Sequence, residues 1–245
     1  MIFTAKRALV TGGAQGIGFS AAEKLAREGV EVIITDINEA LAKEQAENLQ
    51  EKYGIQCYSK KMDVSNGQEV KETIGKLIKD SGFIDILVNN AGICYPAKPL
   101  HEITEEEWIG VFKVNVLGMI NCVNAVIPGM KEKRFGKIIN MSSSSGFTGG
   151  ISVSASYAVS KAGVMALTKN MAKQFGPFNI NVNALSPGVI KTAMTEKLSY
   201  DMTALALRRF GEQAEVGDLV AFLASDESSY LTGTTIDING GLYMR

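Results

Sequence analysis

The first 36 residues carry the pattern that most limits what this chain can fold into. A short apolar stretch at residues 7–11 leads into a glycine-rich turn and then into a helical stretch that ends near Glu28. A second apolar stretch ends at Asp36, about 20 residues after the glycines, where dinucleotide-binding βαβ units place the acid that binds the ribose hydroxyls. Glycines also let backbone N–H groups approach a pyrophosphate at a helix N-terminus. We therefore predict cofactor contacts from the turn residues Gly12, Gln15, Gly16, Ile17 and Gly18.

Apolar strands alternate with longer helical stretches along the whole chain. We predict strands near residues 7–11, 31–35, 56–62, 84–89, 137–142, 180–186 and 234–238, and helices near 17–28, 38–53, 66–81, 104–132, 155–176 and 212–225. Such alternation is typical of a parallel sheet with helices on both faces, in which ligands bind beyond the carboxyl ends of the strands. The expected fold is an α/β, Rossmann-type, doubly wound, seven-stranded parallel sheet in a single domain spanning 1–245.

Charge and cysteine content argue against several classes of function. The 25 basic and 26 acidic residues leave a formal net charge of −1, so no excess of charge favours nucleic acid or a membrane surface as a partner. No signal peptide and no apolar run of about 18 residues is evident, so we expect a cytoplasmic protein without a membrane span. Three scattered cysteines and one histidine, His101, provide no ligands at zinc spacing, and we predict no metal.

A tyrosine and a lysine in the predicted helix 155–176 form a candidate acid–base pair. Tyr157 and Lys161 stand four residues apart, so they share one face of the helix. A nearby ammonium favours the phenolate and lowers the pKa of a phenol from its ordinary value of about 10. Such a phenol can exchange a proton with an alcohol or a carbonyl oxygen. The spacing on its own fits an ordinary surface pair equally well.

Six short motifs share one order along the chain and give these features a common context. They are the turn beginning Thr11-Gly12, Asn89-Asn90-Ala91-Gly92, Asn115, the serine run after Asn140, Tyr157-x-x-x-Lys161, and Pro187-Gly188-Val189-Ile190-Lys191-Thr192. In these motifs, and over nearly the whole chain, the sequence resembles the short-chain dehydrogenase/reductase family. The likeness is to the branch that holds 3-oxoacyl-carrier-protein reductases and bacterial NAD-dependent alcohol, polyol and steroid dehydrogenases.

The resemblance implies a role for each matched residue. Tyr157 would be the acid–base, Lys161 would lower its pKa and bind the nicotinamide ribose, and Asn115 would hold a water that links the lysine to solvent. An asparagine in the position of Asn115 ordinarily caps a helix or packs between helices. Likewise, an aspartate in the position of Asp63 ordinarily caps a turn. Residues implied in binding the cofactor are Asp36, Ile37, Asp63, Val64, Asn90, Ala91, Gly92, Tyr157, Lys161, Pro187, Gly188, Ile190 and Thr192.

The catalytic serine of this pattern has two candidates within the run 142–145. Counting from the strand end at Asn140 favours Ser143, whereas counting back from Tyr157 favours Ser144. We favour Ser143, because a strand end fixes direction and the glycines that follow can absorb one inserted residue. The resemblance also implies a cofactor half, about 1–135, and a substrate half, about 136–245. Residues 191–209 would be a lid over the substrate or an ordinary surface hairpin.

The acid at the end of the second strand favours NAD over NADP. Its carboxylate would repel a 2′-phosphate, and neither Gln15 nor Ile37 supplies a basic partner for that phosphate. The leading function is an NAD-dependent dehydrogenase of a small secondary alcohol or ketone, working as a homotetramer. One alternative is an NADPH-dependent 3-oxoacyl-carrier-protein reductase, for which Arg134 fits the carrier-docking pattern and residues 177–179 do not. An inactive dinucleotide-binding sensor or scaffold is the alternative of another class.

Overall fold

A parallel sheet of seven strands forms the centre of the molecule. The computed structural model describes residues 1–150, 152–192, 195 and 201–244. The strands are Arg7–Thr11 (β1), Glu31–Asp36 (β2), Cys57–Lys61 (β3), Ile86–Asn89 (β4), Gly136–Met141 (β5), Ile180–Pro187 (β6) and Thr235–Ile238 (β7). They lie in the order β3-β2-β1-β4-β5-β6-β7, and every neighbouring pair is parallel. The predicted doubly wound, Rossmann-type fold is confirmed.

Helices cover both faces of the sheet. They are Gly16–Arg27 (α1), Glu39–Tyr53 (α2), Gly67–Ser81 (α3), Glu105–Phe112 (α4), Met119–Lys133 (α5), Ser145–Thr148 (α6), Ala155–Phe175 (α7) and Gln213–Ala224 (α8). Successive strand residues enter two separate cores, because side chains alternate across a sheet. Val10 and Ile34 pack with α1 and α8, whereas Leu9 and Ile33 pack with α3, α5 and α7. Both faces are buried, which explains why these strands are continuously apolar.

The predicted helix at 104–132 is interrupted in the structure. Lys113–Gly118, between α4 and α5, forms a π-helical turn. Asn115 lies on this turn and is only 3% exposed. A π turn adds one residue to a helical turn, and such turns are frequent at functional sites. The helical period of the sequence does not reveal it, and the single turn α6 was likewise not predicted.

The segment Glu105–Lys133 is long and apolar enough to cross a membrane by length and composition alone. Its apolar character was not noted as a candidate membrane span from the sequence. In the fold, its apolar side chains belong to the core beside the sheet: Met119, Cys122, Val123, Val126 and Met130 are buried there. Packing against α3 and the sheet thus accounts for the apolar composition of this segment.

The predicted site residues gather where the winding of the sheet reverses. β1 neighbours both β2 and β4, and a crevice beyond the strand ends is expected at such a switch point. Thr11, Asp36 and Asn89 are the last residues of β1, β2 and β4. Of the proposed lid, residues 193–194 and 196–200 lie outside the described residues, and Met202–Ala204 forms a short 3-10 turn.

Candidate active site

The glycine turn between β1 and α1 leaves no room for side chains at two positions. A Cβ on Gly12 would lie 2.9 Å from Ala91 Cα, and one on Gly18 would collide with the carbonyl oxygen of Gly12. Gly12 and Gly16 have positive φ angles of 59° and 62°, which glycine adopts without strain. A Cβ on Gly16 would meet nothing within 4 Å. The turn is therefore tightly packed against the protein and open at Gly16, where α1 begins and an anion is favoured.

The segment after β4 braces this turn. The Thr11 hydroxyl accepts hydrogen bonds from the backbone N–H groups of Asn90 and Ala91, each at 3.1 Å. The Asn90 amide donates to the carbonyl oxygens of Thr11 at 3.1 Å and Gly12 at 2.8 Å. Asn90 and Ala91 thus hold the glycine turn in shape, and their contact with a cofactor stays a prediction. This role of Thr11 was not predicted, although its place at the end of a strand was a usable signal.

The Asp36 carboxylate is anchored at the edge of this turn. Its Oδ2 accepts from the backbone N–H of Ala14 at 3.2 Å, and its Oδ1 accepts from that of Asn38 at 3.0 Å. Each oxygen has a further lone pair with which to accept a hydroxyl. Ile37 beside it is 70% exposed. The register of β2 and β3 also sets Lys61 beside Asp36, a neighbour that the sequence did not reveal.

Lys161 is buried beside Tyr157 on α7. Its Nζ lies 5.5 Å from the centre of the Tyr157 ring and donates to the carbonyl oxygen of Met141 at 2.7 Å. Only 4% of the lysine is exposed, so the pair is not an ordinary surface pair. Burial lowers the pKa of Lys161 from 10.5 to about 8, and the nearby Cys94 thiol opposes that shift. A Cβ on Gly92 would lie 3.5 Å from Lys161 Nζ, so the segment after β4 passes within van der Waals contact of the lysine.

Both the oxygen and the nitrogen of the Asn115 side-chain amide form hydrogen bonds. Its Oδ1 accepts from the backbone N–H of Ile93 at 2.8 Å. Its Nδ2 donates to the carbonyl oxygen of Ile93 and to the hydroxyl of Ser160, each at 3.0 Å. Both amide hydrogens are therefore used. The water that the resemblance assigns to Asn115 has no amide hydrogen to accept, so it would have to donate to an oxygen of this residue.

The serines that follow β5 differ in their hydrogen-bond partners. The Ser142 hydroxyl donates to the carbonyl oxygen of Lys161 at 2.8 Å, so it fastens β5 to α7. The Ser143 hydroxyl accepts from the backbone N–H of Ser145 at 3.2 Å. The backbone N–H of Ser144 donates to the carbonyl oxygen of Pro187 at 2.9 Å. Ser143 as the catalytic serine stays a prediction.

The glycines after this run behave in two ways. Gly149 and Gly150 have φ angles of 81° and 70°, which glycine adopts without strain, so the chain can turn there. Gly146 has a different reason, because a Cβ there would lie 2.8 Å from the backbone nitrogen of Ala162 on α7. It permits close packing rather than a turn.

The other predicted cofactor residues also have structural partners. Asp63 Oδ1 accepts from the backbone N–H of Ser65 at 2.9 Å and from its hydroxyl at 2.8 Å, as a turn cap does. A Cβ on Gly118 would lie 2.7 Å from Val64, which packs against the π turn. The predicted residues Pro187, Gly188, Ile190 and Thr192, at and after the end of β6, all form hydrogen bonds within the protein. The N–H of Gly188 donates to the carbonyl oxygen of Ile238, and the carbonyl oxygen of Pro187 accepts from the N–H of Ser144. The carbonyl oxygen of Ile190 accepts from Thr195 Oγ1, which in turn accepts from the N–H of Thr192.

Known proteins are similar to this chain over nearly its whole length. A family model described as enoyl-(acyl carrier protein) reductase matches residues 12–243. The 3-oxoacyl-[acyl-carrier-protein] reductase FabG of Staphylococcus epidermidis is 42% identical, covering 98% of this chain and 99% of its own length. The FabG of Thermotoga maritima is 43% identical over 97% of each chain. The chain belongs to the short-chain dehydrogenase/reductase family.

Solved structures of similar proteins share the whole fold. That of gox2181 has a TM-score of 0.94 at 34% identity, covering 98% of this chain and 96% of the other. The 3-oxoacyl-[acyl-carrier protein] reductase of Brucella melitensis has a TM-score of 0.91 at 35% identity, covering 98% and 92%. As a short-chain dehydrogenase/reductase, the protein is an oxidoreductase acting on CH–OH and C=O groups with a nicotinamide dinucleotide. The glycine turn and the anchored Asp36 fit such a dinucleotide.

The low pKa of Lys161 predicts that cofactor affinity falls as pH rises through about 8. Below that pH the lysine is charged and would donate strongly to the ribose hydroxyl that the resemblance assigns to it, whereas above that pH the neutral amine would donate weakly. We expect the Kd of the reduced dinucleotide, measured by its fluorescence, to rise between about pH 7 and pH 9.5. Lys161→Met should bind weakly without this inflection. An affinity of the natural enzyme that is constant over this range contradicts the assignment.

Proposed function

We propose that the protein reduces the keto group of 3-oxoacyl thioesters and that its hydride donor is NADH. Likeness over the full chain to a relative named 3-oxoacyl-[acyl-carrier-protein] reductase, at 42% identity, carries the substrate class. This likeness favours a 3-oxoacyl-carrier-protein reductase over the dehydrogenase of a small secondary alcohol or ketone, which was the leading expectation from the sequence. The choice of NADH rests on Asp36. The proposal keeps a cofactor half, about 1–135, and a substrate half, about 136–245.

The proposed chemistry uses groups on α7 and at the end of β5. When bound, the dinucleotide supplies the hydride that adds to the carbonyl carbon. Tyr157 donates its hydroxyl proton to the carbonyl oxygen, so that C=O becomes CH–OH. The buried ammonium of Lys161 stabilises the phenolate that remains, until solvent returns the proton. The Ser143 hydroxyl donates a hydrogen bond to the same carbonyl oxygen and stabilises the charge that develops there.

Two basic side chains near the start of β6 support a substrate linked to an acidic carrier. The Arg134 guanidinium donates to the carbonyl oxygen of Pro177 at 2.9 Å. Lys131 Nζ lies 4.9 Å from the centre of the Phe178 ring. Two cations therefore flank residues 177–179, the segment in which the sequence shows no base. Residues 177–179 lack the base of the carrier-docking pattern, and these two neighbouring cations can take its place. Complementary charge speeds and orients the docking of an acidic partner.

The substrate class is tested by steady-state kinetics with NADH. We expect kcat/KM for acetoacetyl thioesters of coenzyme A or acyl carrier protein to exceed that for simple ketones by about a hundredfold or more. Dialysis against a strong chelator should change neither value, since the described residues hold no group of three or more potential metal ligands. Faster turnover of a diol, polyol or steroid than of any 3-oxoacyl thioester would return the assignment to an alcohol dehydrogenase.

We also propose that the enzyme works as a homotetramer in the cytoplasm. The outer surfaces of α4, the π turn and α7 carry apolar side chains, with Ile109 44%, Leu117 50% and Val159 48% exposed. Apolar surface of this kind favours burial between subunits. Cys57, Cys94 and Cys122 are free thiols, in keeping with a reducing compartment. Light scattering at micromolar concentration should give four times the chain mass, and a monomer mass contradicts the proposal.

A further inference from the structure

One buried hydroxyl connects the catalytic helix to the π turn. Ser160 precedes Lys161 on α7 and is fully buried. Its hydroxyl donates to the carbonyl oxygen of Tyr157 at 2.7 Å, and this bond fixes the direction of the O–H group. A lone pair of the same oxygen accepts from Asn115 Nδ2 at 3.0 Å. The hydroxyl therefore touches, through one atom, the residue of the proposed acid–base and the asparagine of the motif.

Among the hydrogen bonds between described residues, the bond to Ser160 links the Asn115 side chain to α7. The other two bonds of the amide go to the backbone of Ile93, beyond the end of β4. Asn115 is 3% exposed, so an amide hydrogen that lost its acceptor would have no bulk water to replace it. The π turn and the segment after β4 would then be held less firmly against Lys161, although the packing of the π turn on α7 would remain. Position matters here because proton transfer depends steeply on geometry.

We propose that Ser160 is a positioning residue for the reduction, acting through Asn115 on the surroundings of Lys161. It touches neither the reacting carbonyl nor the dinucleotide in this assignment. Its hydroxyl sets the distance between α7 and the π turn, and so the path by which the proton of Tyr157 is replaced. The inference holds for any carbonyl compound that the enzyme reduces, so its test can use whichever substrate the natural enzyme turns over.

The chain contains a matched control on the same helix. Thr168, two turns further along α7, is also fully buried. Its hydroxyl donates to the carbonyl oxygen of Val164 at 2.8 Å and accepts from Asn140 Nδ2 at 3.0 Å. Thr168 thus makes the same pair of bonds as Ser160, with a helix carbonyl and an asparagine amide, away from the catalytic pair. Removing either hydroxyl should cost similar stability, whereas only one removal should affect the reaction.

The experiment compares Ser160→Ala with the isosteric Thr168→Val. Both variants should melt at lower temperature than the natural protein. For Ser160→Ala we expect kcat to fall about tenfold with KM unchanged, and the pH at which kcat is half-maximal to shift. Thr168→Val should keep the natural kcat and pH profile. Ser160→Thr retains the hydroxyl and should recover most of the lost kcat. Ser160→Cys, whose thiol is a weak hydrogen-bond partner, replaces the alanine variant in the comparison should that variant not fold.

A double-mutant cycle separates positioning from independent effects. If Ser160 acts through Asn115, then Asn115→Ala should lower kcat, and adding Ser160→Ala should lower it by less than twofold more. Full additivity of the two changes in kcat overturns the proposal. A natural kcat and pH profile in Ser160→Ala overturns it as well, as does an equal loss of kcat in Thr168→Val.

Discussion

Tyr157→Phe is expected to lower kcat by about 100- to 10,000-fold, the range that a positioned acid–base contributes. The change removes the transferable proton and keeps the ring beside Lys161. Substrate and dinucleotide should still bind, because the glycine turn and Asp36 are untouched. Single-turnover reduction, followed by the loss of nicotinamide absorbance, measures the chemical step apart from release of product.

A second tyrosine serves as the control for this substitution. The Tyr53 hydroxyl donates to Glu23 at 3.2 Å, at the far end of α2 from the site. Tyr53→Phe removes the same atom without touching α7, and its kcat should be that of the natural enzyme. Turnover of Tyr157→Phe within a few-fold of the natural value would remove Tyr157 from the mechanism. Equal loss in both variants would show a general effect on the fold.

NAD(H) is expected to outperform NADP(H) by on the order of a hundredfold or more in kcat/KM. Two charge-assisted bonds from ribose hydroxyls to Asp36 would each contribute about 1.5–3 kcal/mol, and about 1.4 kcal/mol is tenfold. A 2′-phosphate would lose those bonds and face the carboxylate. Asp36→Ala with Ile37→Arg should erode or reverse the preference, because it removes a repulsive charge and adds a phosphate partner. Parallel kinetics with the two cofactors measure the ratio.

The neighbouring strand provides the control for this prediction. Lys61 stands in register with Asp36, so it is the base that a phosphate could reach if the enzyme used NADP(H). Lys61→Ala should leave the kinetics with NADH unchanged. Equal use of the two cofactors, or a preference for NADP(H) that Lys61→Ala abolishes, would refute the role of Asp36. The thioester proposal would survive that result, since it rests on the likeness to the reductases and not on Asp36.

Features that depend on neighbouring residues in the chain could be predicted from the sequence. Glycines between an apolar strand and a helix, followed by a strand ending in an acid, are requirements of the backbone itself, so the βαβ unit follows from neighbouring residues. Strand boundaries were predicted to within two residues, from 84–89 against Ile86–Asn89 to 180–186 against Ile180–Pro187. The helical spacing placed Tyr157 and Lys161 on one face of a helix, and the accompanying motifs were needed to favour them over an ordinary surface pair.

The tertiary structure decided what depends on elements that meet across the sheet. The helical period could not show that Asn115 lies on a π turn, because the extra residue leaves apolar spacing nearly unchanged. Nor could it show that Asn115 bonds Ser160, since residues 45 apart meet only when α7 packs on that turn. The pKa of Lys161 is lowered by burial, which composition does not specify. The sequence by itself thus determined the fold class and the candidate catalytic pair, whereas packing determined the surroundings in which that pair lies.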